Sequence, residues 1–169
     1  WSDDLDAACE YAVENGCIPI AATGNDRQVT TWVASPASSE WTLAIAATTV
    51  APPTEAKSAY FANIGPHPGT VDLSGGETSG VQPDLAAPGT ELGAVVADEQ
   101  GSVSTRYLTG TSMAAPCTAG VAGLLLAGTS LSEFEAVRDR LSETARPVPA
   151  AGEFEAGHGM PSAKHAIEN

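Results

Sequence analysis

Two hydrophobic periods alternate along this chain. Residues 3–14 place Leu5, Ala8, Cys9, Ala12 and Val13 at helical spacing on one face. Ser2 suits the cap of that helix, Asp3 and Asp4 its positive end, and Gly16 its stop. Residues 17–22 are short and apolar and predict a buried strand, with Pro19 unable to donate to a ladder. Residues 41–50 predict a second strand. Residues 51–91 are rich in Gly, Pro, Ser and Thr and predict loop, with a short strand near Tyr60 and Phe61. Residues 103–108 predict a strand. Residues 113–127 are apolar or small nearly all round, the pattern of a buried helix. Residues 131–145 predict an amphipathic helix with Phe134, Val137 and Leu141 inward and a Ser132/Glu135 capping box. A last short helix covers residues 162–168. Strands that alternate with helices predict an α/β fold on a parallel sheet, with no internal repeat and no linker.

Length and charge narrow the function classes. The 169 residues suffice for one domain with a core, and 43% hydrophobic content argues against global disorder. Twenty-one acidic against 7 basic side chains give a net charge of -14. That balance excludes nucleic-acid binding, which needs Lys and Arg, and attraction to an anionic membrane surface. No apolar run is read as a membrane span. Such charge repels itself unless salt screens it, so a salt-adapted source and an ordinary acidic secreted protein both fit. Cys9, Cys17 and Cys117 match no zinc spacing and read as small buried residues, which leaves open a Cys9–Cys17 bridge. The chain opens on Trp1 without an initiator Met or a signal peptide, in mid-pattern, as a fragment or processed product would.

The chemistry concentrates in a few short stretches. In Gly110-Thr111-Ser112-Met113-Ala114-Ala115-Pro116 a serine falls between a strand and a buried helix. Backbone N–H groups and the helix dipole there favour developing negative charge, and Pro116 in the first turn costs little. The bland alternative is a helix cap. In Ala21-Ala22-Thr23-Gly24-Asn25 a strand ends in Gly-Asn, which brings a side-chain amide to the sheet edge, although Gly-Asn also suits a plain turn.

The first stretch resembles the nucleophile motif of the subtilase (subtilisin-like) serine proteases, G-T-S-M-A-S/A-P, and the second their A-A-A/G-G-N. Pro83 to Gly89 resembles the family's structural P-D-L/I/V-x-A-P-G, so Asp84 is not read as a triad acid. Ser58 to Gly65 resembles F-S-N-x-G, with Ala62 in place of Ser. Gly157 to Ala163 resembles the closing G-x-G-x-V/P-x-A. The resemblance implies Ser112 as nucleophile and the Asn25 side chain, with the Ser112 N–H, as oxyanion hole. It implies substrate-pocket walls at Ala21, Ala22, Thr23 and Gly24, and near Ala34, Ser35 and Pro36, with Thr111 also at the substrate site. Small walls imply room for a medium or large apolar side chain. It implies a peptide or protein substrate and an extracellular location. It implies no cofactor; the family often binds calcium at loops, but no dense Asp-x-Asp loop stands here. The fold implied is part of a parallel-sheet, three-layer subtilisin-like domain with helices on both faces.

Residues 1–169 then correspond to the C-terminal portion of one catalytic domain. The portion bearing the triad Asp and His, in G-H-G-T-H, is expected outside it as a missing partner. His158 lies in Gly157-His158-Gly159 but lacks the following Thr-His, and it comes after the serine. Residues 66–82 read as a surface insertion containing His67, and His165 as a solvent-exposed residue of the last helix. Without a base a serine hydroxyl is a poor nucleophile, so the chain alone is expected to be inactive. It is also expected to expose an apolar sheet edge and aggregate. Two rival readings stand: a non-catalytic pseudoprotease or interaction module on the same scaffold, and an esterase of the α/β-hydrolase type with Ser112, Asp139 and His158.

Overall fold

The structure, a computed structural model, describes residues 2–29, 32–65 and 83–168. The 66–82 insertion and His67 lie outside the described residues. Three parallel strands form the central sheet in the order β1 (Ile20–Ala22), β2 (Leu43–Thr48), β3 (Leu85–Pro88). Ile20 pairs with Leu43, and Ile45 in turn with Leu85. Every residue of β2 is buried, as expected of a strand covered on both faces.

Alternation along the strands separates two cores. Leu43, Ile45, Ala47, Leu85 and Ala87 face α2 (Thr111–Gly128), together with Val137 and Leu141 of α3 (Phe134–Glu143) and Ala166 of α5 (Ala163–Glu168). Ala46 and Ala86 face the other way, onto Val148, Met160 and Ala156 of α4 (Glu153–Ala156). Helices thus cover both faces. The first helix, α1 (Asp3–Glu14), is capped by the Ser2 hydroxyl as its sequence predicts. Its apolar face is only half covered: Cys9, Ala12 and Val13 are half-buried, Leu5 and Ala8 exposed.

Several expectations need correction. Strand β3 falls inside the stretch read as loop; it is four residues long and alanine-rich, so neither period nor propensity marks it. Leu92–Ala97 forms β4, antiparallel to β5 (Val103–Leu108), in a hairpin apart from the parallel sheet. Tyr60 and Phe61 lie in a turn; the nearby pairing is a lone bridge from Ser58 to Thr48. The Ser132/Glu135 box does not form, because α3 is capped at Glu133, one residue out of register. At α4 only the return bond of such a box forms, Gly152 N–H donating to Glu155. All three cysteines are free, and Cys17 is exposed.

Helix α2 is long and apolar enough to cross a membrane by length and composition, contrary to the sequence reading. It packs on β1, β2 and β3, as a core helix does. Only Thr111, Ala114, Thr118, Ala122 and Leu125 are buried along it. Leu124 is 57% exposed, so the all-round apolar pattern is matched by neighbours on one side.

Candidate active site

The parallel strands end where α2 begins. Gly110 N–H donates to the carbonyl of Gly89, just beyond β3 (2.8 Å), and so pins the start of α2 to the C-terminal end of the sheet. Ligands of open parallel sheets bind at that end. Asn25 arrives there from β1 through Thr23 and Gly24.

Three hydrogen bonds join the two motifs across 86 and 87 residues of sequence. Thr111 N–H (2.8 Å) and Thr111 Oγ1–H (3.0 Å) both donate to Asn25 Oδ1, and Gly24 N–H donates to Thr111 Oγ1 (3.3 Å). With its oxygen held by two donors, the Asn25 amide can turn only its NH2 outward, and Nδ2 has no acceptor among the described residues. Ser112, the next residue, is exposed, and its N–H lies in the first helical turn, where no carbonyl four residues back can accept it. No acidic side chain stands in that turn to cancel the positive end of α2. The result is a hydroxyl, an amide donor and a free backbone donor at one sheet end.

The backbone around Asn25 is held by a second layer. Arg27 pairs with Glu155 of α4 at 2.6 Å. Burial pushes the Glu155 carboxyl up, but the Arg27 hydrogen bond, the Gly152 N–H and the Arg27 charge together hold it below the ordinary value. Thr23 and Thr111 are wholly buried, and Thr111 grips Asn25. Ala22 and Gly24 are half-buried.

Asp139 and His158 do not meet Ser112. They line a cleft of about 190 Å³ with Asp84, Arg138, Ser142 and Glu143. Asp84 immediately precedes β3, five residues from Gly89, or about 16 Å along an extended strand. The esterase arrangement fails on that separation. The Gly-His-Gly motif is structural here: His158 N–H donates to the Asp84 carbonyl (2.9 Å), and a side chain at Gly157 would overlap the carbonyls of Pro83 and Asp84. Burial raises the Asp84 carboxyl from 3.8 to about 6, against the Ala44 N–H (2.6 Å) and the charges of Arg138 and His158. His165 lies on α5, whose Ile167 packs on Gly128, sixteen residues and about 24 Å along α2 from Ser112. Neither described histidine can serve Ser112 as a base.

Among the described residues no three His, Cys, Asp or Glu converge as metal ligands.

The chain matches the subtilase family over residues 1–159. It belongs to that family. A curated relative, an extracellular protease of Xanthomonas campestris, is 32% identical over 98% of the chain but only 26% of its own length. A thermophilic serine proteinase of Bacillus sp. is 29% identical over 89% of the chain and 31% of its own length. The chain thus spans about a quarter to a third of these subtilase relatives. The structure of fervidolysin from Fervidobacterium pennivorans superposes with a TM-score of 0.79 over the whole chain, at 23% identity and 25% of that protein. The prenylagaramide maturation protease PagA superposes at 0.73, with 27% identity over 99% of the chain and 55% of that protein. The subtilase fold accounts for the parallel sheet with helices on both faces.

Proposed function

We propose that this chain carries the nucleophile and oxyanion portion of a subtilase active site that hydrolyses peptide bonds. Ser112 Oγ attacks the scissile carbonyl. Asn25 Nδ2 and the Ser112 N–H donate to the oxygen as it gains negative charge, and the positive end of α2 favours that charge. The intermediate collapses with loss of the amine and leaves an acyl group on Ser112; water then releases it. The observation that carries this reading is the pair of hydrogen bonds from Thr111 to Asn25 Oδ1, which ties the amide to the residue next to Ser112 and leaves its NH2 unspent.

A base must take the proton from Ser112 Oγ. That His and its Asp belong to a part of the protein outside residues 1–169, in keeping with the much greater length of the relatives. The same part covers the exposed side of α2 and continues the sheet beyond β1, which has β2 as its one neighbour among the described residues. Alone, residues 1–169 hydrolyse little or nothing, since an oxyanion hole without a base retains only residual catalysis. The substrate is a peptide or protein, the pocket beside Ala22, Gly24 and Ala34 takes a medium or large apolar side chain, and the protein works outside the cell. The charge of -14 fits a site that performs well in salt.

A fluorophosphonate probe on the full-length protein tests the reading. Ser112 becomes labelled and peptide hydrolysis stops. A full-length protein whose Ser112 stays unlabelled is a non-catalytic module on the subtilase scaffold.

A further inference from the structure

Asn63 lies 38 residues from Asn25 in sequence and is 1% exposed. Its hydrogen bonds bracket Asn25 on both sides. Its backbone N–H donates to the Gly24 carbonyl (3.0 Å), and its side-chain Oδ1 accepts the Asp26 N–H (2.7 Å). Its Nδ2 donates to the Trp32 carbonyl (2.7 Å), which ties the segment after Asn25 into the same bracket. Arg27 N–H donates to the Phe61 carbonyl, two residues before Asn63 (3.2 Å). Gly24 leaves room for this. Its φ is +105°, which favours glycine, and a β-carbon there would stand 2.6 Å from Asn63 Nδ2. The amide therefore packs on a bare α-carbon, one residue from the proposed oxyanion donor.

We propose that Asn63 is a positioning residue for the oxyanion hole: it fixes the peptide units flanking Asn25, so that the Asn25 amide held by Thr111 points at the reacting carbonyl. The proposal rests on the oxyanion reading of Asn25 above. Two anchors then define that amide, Thr111 at its oxygen and Asn63 at its backbone. A buried amide is suited to this task, because it donates and accepts at once with little freedom to move. Replacing it leaves the Asp26 N–H and the Trp32 carbonyl without those partners, and that segment shifts to find others.

A double-mutant cycle in the full-length protein tests this, with kcat and KM measured on a peptide substrate and normalised to folded protein. Asn63→Ala lowers kcat on the order of tenfold or more, as small displacements of catalytic groups do, and leaves KM within about twofold. In an Asn25→Ala background the same change costs less than about twofold, because the donor it positions is gone. An equal loss in both backgrounds, a loss confined to KM, or an unchanged kcat overturns the proposal. An Asn25→Ala variant with undiminished kcat instead overturns the oxyanion reading itself. Where Asn63→Ala does not accumulate as folded protein, Asn63→Asp takes its place in the cycle. It keeps an oxygen for the Asp26 N–H, cannot donate to the Trp32 carbonyl, and must show the same dependence on Asn25.

Discussion

At the C-terminal end of the parallel sheet the structure gathers Asn25, Thr111 and Ser112; at the start of β3 it gathers Asp84, Arg138, Asp139 and His158. Both ends hold residue types common in hydrolases. The first end holds donors that have no partner among the described residues: the Asn25 NH2 and the Ser112 N–H. The second is ionic, and burial of Asp84 outweighs the groups that favour its charge. Asp84 accepts the Ala44 N–H and feels the charges of Arg138 and His158, and the Arg138 guanidinium donates to the Glu40 carbonyl (3.2 Å). A site that stabilises transient negative charge needs donors held in place and left unspent.

The largest effect that would break this comparison is at Ser112. In the full-length protein, Ser112→Ala should lower kcat by about 10⁶-fold, the scale known for loss of subtilisin's own nucleophile. His158→Ala should change kcat by less than about twofold in the same steady-state assay. A large loss at His158 would move the chemistry to the wrong end of the sheet. Next in size, Asn25→Ala should cost about 10²–10³-fold in kcat, the known cost of removing the matching asparagine of subtilisin.

Thr111→Val sharpens the account at smaller scale. It keeps the shape and the backbone donor but deletes the hydroxyl that bridges Gly24 and Asn25. A fall of about tenfold in kcat with little change in KM is expected, about one hydrogen bond's worth. A rise in KM alone would place Thr111 in substrate binding after all.

The smallest effect tests the other end and reads on stability. The folded-state carboxyl of Asp84 lies above its unfolded value of 3.8, at about 6. The fold therefore favours the protonated form, and the associated stability is full below about pH 4 and is lost as pH rises through 6. Asp84→Asn keeps an oxygen for the Ala44 N–H and cannot ionise. Denaturant unfolding should show it more stable at pH 7, by about 3 kcal/mol, with no gain at pH 4. A variant less stable at both pH values would show that ionised Asp84 supports the fold.

How much of this was legible in the sequence follows from distance along the chain. The serine and asparagine motifs are contiguous, and each announces itself by a strand end followed by the right residues. α1 follows from its periodicity and β2 from its apolar run, and the α/β class from the alternation of strands and helices. The contacts of Thr111 and Asn63 were hidden, because each depends on a partner 86 or 37 residues away that only the fold brings near. β3 escaped for a different reason: four residues of Leu, Ala and Pro carry no alternation, and burial against α2 and α4 makes the strand. The all-round apolar pattern of α2 was read as burial on every side, whereas Leu124 and Leu126 lie exposed on this chain.

The central claim is that Ser112 and Asn25 act on one tetrahedral centre. A crystal structure of the full-length protein treated with a peptide boronate or phosphonate tests it most directly. The account predicts a covalent bond from Ser112 Oγ, with one adduct oxygen about 2.7–3.1 Å from both Asn25 Nδ2 and the Ser112 N–H. An adduct on another residue, or one whose oxygen turns away from Asn25, would contradict it.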